Sequence, residues 1–204
     1  MGFLRDIFGP SKDEIWQQVA NEIGGQFENG GIFGKDALRF QSGQWELTLD
    51  TYTVSHGDSR STYTRMRAPF VNQDNIRFKI YEEGIFAAIG KVFGMKDIEI
   101  GHSFFDKKFI VKSNSEDKIK KLLQDKKLKQ LINYQNDILF SVRGDDGWFG
   151  KSFPEGVDEL YFECAWVMKD LEDIKKLFEL FTHTLELLVE LDSAYAANSR
   201  IKLS

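Results

Sequence analysis

One cysteine, Cys164, is all that the 204 residues contain. A single thiol excludes an internal disulfide and any zinc site built from a cysteine cluster. Long apolar runs are missing too: none approaches the ~18 residues of a membrane span. Positive charge is in deficit, with a net charge of −5. That balance argues against a general nucleic-acid binder, because phosphate contacts need a basic surface, and it does not favour acidic substrates. No signal-peptide pattern opens the chain, so a cytoplasmic location is the default expectation.

What is present points to a globular domain rich in sheet. Hydrophobic residues make up 42% and charged residues 29%, an ordinary balance for a chain long enough to bury a real core. Eighteen phenylalanines are an enrichment. Aromatic side chains favour strands and large cores.

The segment Asp170 to Asp192 organises the rest. Leu171, Ile174, Leu177, Phe178, Phe181, Leu185, Leu188 and Val189 recur on one face at helical spacing, and Leu180, Leu187 and Leu191 widen the apolar arc to roughly half the circumference. A helix that apolar needs a broad partner. The strands upstream can supply it, so the expected fold is α+β: a curved, mostly antiparallel sheet packed against a long C-terminal helix.

In chain order, Phe3, Leu4, Ile7 and Phe8 form a short apolar segment within residues 1–10. It suits packing on the domain, disorder or contact with a membrane surface. Ser11 and Glu14 form a capping box for a helix carrying Ile15, Trp16, Val19, Ala20 and Ile23, which Gly24-Gly25 ends. From residue 26 the period changes to two. Strands are expected over 26–33, 36–41, 44–55, 60–69 and 75–82, with Trp45, Leu47 and Leu49 alternating against Glu46, Thr48 and Asp50.

Residues 84–94 return to helical spacing between glycines, as a buried connector or an exposed apolar contact. Strands over 97–103 and 107–112, a helical hairpin from Ser113, strands over 137–143, 148–153 and 160–168, and the last helix complete the order. Residues 11–204 therefore suit a single domain, with 11–94 and 95–204 as halves of a degenerate duplication.

Each candidate for chemistry has a plainer reading beside it. Gly30 to Asp36 has the glycines of a phosphate loop, but Asn29 and Asp36 stand where Gly and Ser or Thr are needed, which favours a hairpin turn. His56, His102 and His183 are scattered. His183 shares a helix face with Glu179 and Glu186, a set that can hold a metal or simply face solvent. Cys164 lies in an apolar strand and reads as a buried structural thiol. Lys118, Lys120, Lys121, Lys126, Lys127 and Lys129 make the helical hairpin basic without interleaved aromatics, as a solvated face or an anion contact. Arg143-Gly144-Asp145 spells an adhesion tripeptide in a turn.

The candidate ligand-binding residues are Arg65, Arg67 and Tyr63, alternating on one strand. Two guanidiniums on one sheet face can grip a carboxylate or phosphate, or can pair across strands with Glu46 and Asp50. No catalytic, cofactor or metal residue emerges.

The stretch His102-Ser-Phe-Phe-Asp106-Lys-Lys-Phe109-Ile-Val111-Lys-Ser113, ahead of a hairpin with Leu122-Leu123 and Leu131, resembles a pattern in a family of uncharacterised bacterial proteins, F-D-x-x-F-x-V-x-S before a short helix pair. The resemblance covers about 30 residues and implies a bacterial cytosolic or membrane-peripheral protein. It carries over no catalytic residue. Members of that family often have an N-terminal membrane segment, and here only MGFLRDIF stands in its place.

Three functions are open on these grounds. A non-enzymatic domain that binds a protein partner or a second copy of itself leads, on the width of the last helix's apolar arc. A small-molecule binder or enzyme with a pocket between sheet and helix, reading an anionic group with Arg65, Arg67 and Tyr63, is the second. Peripheral membrane attachment through residues 3–8 or 85–93 is the third.

Overall fold

The computed structural model describes residues 10–31, 35–82, 95–144, 153–195 and 203. The apolar segment at 3–8, the helical segment at 84–94 and the strand expected over 148–153, but for Phe153, lie outside them.

Helix α1 spans Lys12–Ile23 and carries the expected capping box, Ser11 accepting from the Glu14 amide while Glu14 reaches back to Ser11. Gly24, at φ 75°, closes it in the left-handed region that favours glycine. Strands β1 (Gln26–Glu28), β2 (Ala37–Ser42), β3 (Trp45–His56), β4 (Ser59–Val71) and β5 (Phe78–Glu82) follow. Next come β6 (Lys96–Asp97), α2 (Ser103–Lys108), β7 (Phe109–Ser113), α3 (Glu116–Leu122) and α4 (Lys126–Tyr134). Strands β8 (Ile138–Arg143) and β9 (Val157–Cys164) lead into α5 (Leu171–Glu190).

The strands form one open, antiparallel nine-stranded sheet in the order β1-β2-β3-β4-β9-β8-β5-β7-β6. The α+β architecture is therefore the one expected. The sheet does not divide at residue 94, however: β5 lies between β8 and β7, both from the later half.

Two departures from the expected elements have local causes. The strand expected over 97–103 shrinks to two residues, and Phe104, Phe105 and Asp106 enter helix α2 instead of a strand connection. Asp106 is responsible: its carboxylate accepts from the Ile100 and His102 amides at 3.0 and 2.8 Å, folding the chain back. The Phe105 and Phe109 rings then meet at 4.7 Å between centroids. The Phe-Asp-x-x-Phe pattern is thus a strand-and-helix junction. The strand expected over 160–168 ends earlier, at Cys164. There the Trp166 carbonyl accepts from the Thr64 amide and hydroxyl at 3.1 and 2.7 Å.

Period-two alternation separates the two sheet faces. One buried apolar row, Leu38, Leu49, Met66, Phe162, Phe140, Ile80 and Val111, crosses from β2 to β7. Helix α5 lies on this face, with Phe178 against Phe40 at 5.8 Å and Phe181 against Phe140 at 5.9 Å. Helices α1 and α4 flank α5. Trp16 anchors α1 by donating from Nε1 to the Met168 carbonyl at 3.0 Å. The wide apolar arc of α5 is covered from within the chain: Ile174, Leu177, Leu180, Phe181, Leu185 and Leu188 are all fully buried. No external partner is needed to cover it.

Candidate functional site

A shift of one residue along each strand reaches the opposite face. There the cross-strand row is Arg39, Thr48, Arg67, Tyr161, Ser141, Lys79 and Lys112. Beside it runs a second row that contains Asp50, Arg65, Glu163 and Leu139. A sheet face turned away from the helices is ordinarily wet, yet Thr48, Asp50, Arg67, Ser141, Glu159, Tyr161 and Glu163 are all buried.

Three linked groups fill this face. Asp50 is the hub of the first: Arg65 donates to it from Nε at 2.5 Å and from Nη2 at 3.1 Å, and Arg67 from Nη2 at 2.7 Å. In the second, the Tyr52 and Tyr161 hydroxyls both donate to Oε2 of Glu163. In the third, Arg143 pairs with Glu159 at 2.8 Å through Nε and lies over the Tyr161 ring at 3.4 Å. Tyr63 stacks on Tyr52 with centroids 5.2 Å apart, and the Arg65 guanidinium lies 5.1 Å from the Tyr52 ring centre.

Titration follows from this burial. Desolvation, and then the neighbouring Glu163 carboxylate, raise both tyrosine hydroxyls above their ordinary range. Burial opposes the charge on Arg65, but the bonds to Asp50 outweigh it and its value rises. For Arg67 burial wins over the pull of Asp50, and the value falls. Arg67 is the guanidinium with the weaker compensation.

Of the predicted ligand residues, the structure brings Arg65, Arg67 and Tyr63 onto this face together, but on the side away from α5. The pocket expected between sheet and helix is not where they sit; Phe40, Phe178, Phe140 and Phe181 fill that interface. Of the two acids expected to pair with the arginines, Asp50 does so. Glu46 is held instead by Arg39 at 3.1 Å, because Arg39 of β2 stands nearer to it in register. Glu163, Tyr161 and Ser141 were not legible as members of the site. They come from β8 and β9, and Tyr52 and Glu163 are 111 residues apart.

The other candidates resolve locally. In the glycine loop the Gly30 amide donates to Asp36 at 3.0 Å, so a carboxylate already occupies the loop's donor. His102 caps α2, accepting from the Phe105 amide at 3.4 Å. His183 meets Asp125 at 2.9 Å, while Glu179 turns to Lys127 and Lys176 at 3.0 and 2.8 Å. Among the described residues no three His, Cys, Asp or Glu side chains gather as a metal group. Cys164 is buried, and desolvation pushes its thiol up to about 12. In the basic hairpin Lys118, Lys120 and Lys127 pair with Asp74, Glu116 and Glu179. Arg143 is taken by Glu159, and Asp145 lies outside the described residues. No described helix is long and apolar enough to cross a membrane.

No family model matches the chain, and no curated protein matches it in sequence. Among solved structures it is similar to the crystal structure of the mycobacterial trehalose monomycolate transport factor A, TtfA. The TM-score is 0.50 at 10% identity, over 87% of this chain and 94% of that one. At that identity the likeness is one of fold.

Proposed function

We propose that this chain is a binding domain that receives an anionic group on the polar face of its sheet, with Arg65, Arg67 and Tyr63 around the point of entry. The observation that carries the reading is that two arginines share one carboxylate, Asp50. A buried guanidinium without a full counter-ion is costly, and an incoming anion relieves that cost. Arg65, Tyr52 and Tyr63 are only half-buried and form the accessible rim. TtfA is described as a transport factor; the proposal rests on the arginines and not on that description.

The test is a thermal-shift screen of organic acids, phosphates and nucleotides against the native protein and an Arg65→Ala variant. In that variant Asp50 keeps Arg67. Specific binding to the native state raises the melting temperature by mass action. The expected result is a concentration-dependent rise that weakens about tenfold or more in apparent affinity when Arg65 is removed, as for loss of a charge-assisted bond. A flat screen at millimolar concentrations would overturn the reading.

A partner-binding or self-associating domain is the second reading, favoured by Phe104, which is 61% exposed on α2. Light scattering on the purified protein, with Phe104→Ser alongside, distinguishes it. A monomer at every concentration and no effect of the substitution would remove self-association.

A further inference from the structure

We propose that the outer surface of α2, α3 and α4 docks on a lipid surface rich in anionic headgroups, with Lys107, Lys121 and Lys126 over the headgroups and Phe104 entering the acyl boundary. The inference stands apart from the anion site, because these helices pack into the apolar core on the other side of the sheet.

Charge divides unevenly along the chain. From Ser103 to Tyr134 there are nine lysines and four acidic residues, a local charge of +5, while the whole chain carries −5 and the remainder therefore −10. A basic segment in an acidic chain marks where an anionic surface is attracted. Three of the four acids are committed inside the fold: Asp106 accepts from the Ile100 and His102 amides, Glu116 pairs with Lys120, and Asp125 caps α4 and meets His183. Asp117 is the one left exposed. Lys107, Lys121 and Lys126 are exposed and have no ion-pair partner among the described residues.

Helical spacing aims these three side chains the same way. Each is two positions from a buried residue, Phe105, Ile119 and Leu128 respectively, and so roughly 160° round its helix from it. The three buried residues belong to one core cluster against the sheet, so the three ammonium groups point away from the sheet together. Lys108 fixes α2 against the end of α4 by donating to the Asn133 and Gln135 carbonyls at 3.2 and 3.3 Å. Phe104, one turn before Lys107 and Lys108, is 61% exposed. On α5, next along this surface, Lys175 and Lys176 offset Glu172 and Glu179.

Residue chemistry selects the partner. A phenyl ring has no polar end to satisfy, so the boundary between headgroups and acyl chains suits it. Lysine supplies point charge, which suits a diffuse layer of headgroups. The planar fork that reads bases and ordered phosphates is arginine's, and no arginine lies between Ser103 and Tyr134. Single-stranded nucleic acid calls for a row of stacking aromatics, but among the described residues of these helices only Phe104 and Tyr134 are exposed aromatics, and Tyr134 is turned to Asp173 of α5. Screening over roughly 10 Å at 0.1 M salt keeps the acids of the far side from opposing the contact.

The experiment is co-sedimentation of the full chain with vesicles of phosphatidylcholine alone and of phosphatidylglycerol and phosphatidylcholine in equal parts, at low and at high sodium chloride. Phe104→Ser, the triple variant Lys107→Glu, Lys121→Glu, Lys126→Glu and Arg65→Ala are run beside the native protein. The three lysines carry no bond in the fold, so the triple variant should melt with the native protein. The expected result is binding to the anionic vesicles only, weakened tenfold or more by high salt. The triple variant should lose it, at about fivefold for each lysine charge removed, and Phe104→Ser should weaken it about tenfold.

No sedimentation with anionic vesicles at low salt would overturn the proposal. Binding that the triple variant retains would also overturn it and place the attachment elsewhere in the chain. Tighter capture by an oligonucleotide at equal phosphate concentration, lost in the same variant, would overturn the choice of a lipid partner. Arg65→Ala should leave vesicle binding unchanged, so failure here and failure of the anion reading are told apart.

Discussion

Arg65 and Arg67, two residues apart on β4, both hold Asp50 of β3, Arg65 through bonds at 2.5 and 3.1 Å and Arg67 through one at 2.7 Å. Removing the carboxylate charge leaves two guanidiniums side by side on a buried face. Asp50→Asn is therefore expected to cost about 3–5 kcal/mol, the cost of breaking a buried pair by deleting one partner. Urea denaturation reads it directly, and a loss below about 1 kcal/mol, the scale of an exposed pair, would mean that solvent reaches the cluster.

Asp125 begins α4 and ties it to α5, accepting from the Leu128 amide at 2.6 Å and meeting His183 at 2.9 Å. Asp125→Ala should cost about 1–2 kcal/mol through the lost cap and tie. His183→Ala, which leaves the cap in place, should cost less. Burial raises the Asp125 value, but the His183 and Leu128 bonds outweigh it, so the folded value lies below the ordinary 3.8. A depressed carboxyl contributes stability above its unfolded value and loses it as pH falls through its folded one. The gap between native protein and Asp125→Ala should thus hold at neutral pH and narrow only below about pH 4; a gap already closed at pH 6 would contradict the assignment.

Gly24 and Gly25 end α1 for different reasons. Gly24 has φ 75° and nothing within 4 Å of an added Cβ, whereas a Cβ on Gly25 would lie 2.6 Å from the Arg39 carbonyl oxygen of β2. Gly24→Ala is expected to cost about 1 kcal/mol, a strain that stays local. Gly25→Ala must push a strand aside and should cost more, about 2 kcal/mol or above, as for other overpacked sites. Equal melting temperatures for the two variants would count against the close approach.

Cys164 is buried on β9 with its thiol pushed up to about 12. Little thiolate forms at pH 8 and little of it is accessible. An aromatic disulfide reagent should therefore leave the native protein unlabelled over an hour and label it within minutes in 6 M guanidinium, a concentration that unfolds most domains. Rapid labelling of the native protein would show that β9 opens.

Elements decided by neighbours in sequence were legible from the residues alone. The Ser11 and Glu14 capping box, the left-handed Gly24 closure, the alternation along β3 and the spacing of α5 all act within a few residues of themselves. The cross-strand pairing of Asp50 with Arg65, its register partner, was readable for the same reason, since a tight turn fixes the register of β3 against β4.

Other features depended on residues far apart in sequence. The insertion of β5 between β8 and β7 is a choice among strand edges, and no periodicity within β5 records which edge it meets. The width of the α5 arc was evident, but whether it faced another molecule or its own chain was settled by α1, α4 and the sheet closing over it. The convergence of Tyr52, Tyr161 and Glu163, and the placing of Arg67 and Ser141 on either side of Tyr161, exist only through the β3-β4-β9-β8 register. Side-chain period declares a face; only long-range pairing decides which residues share it.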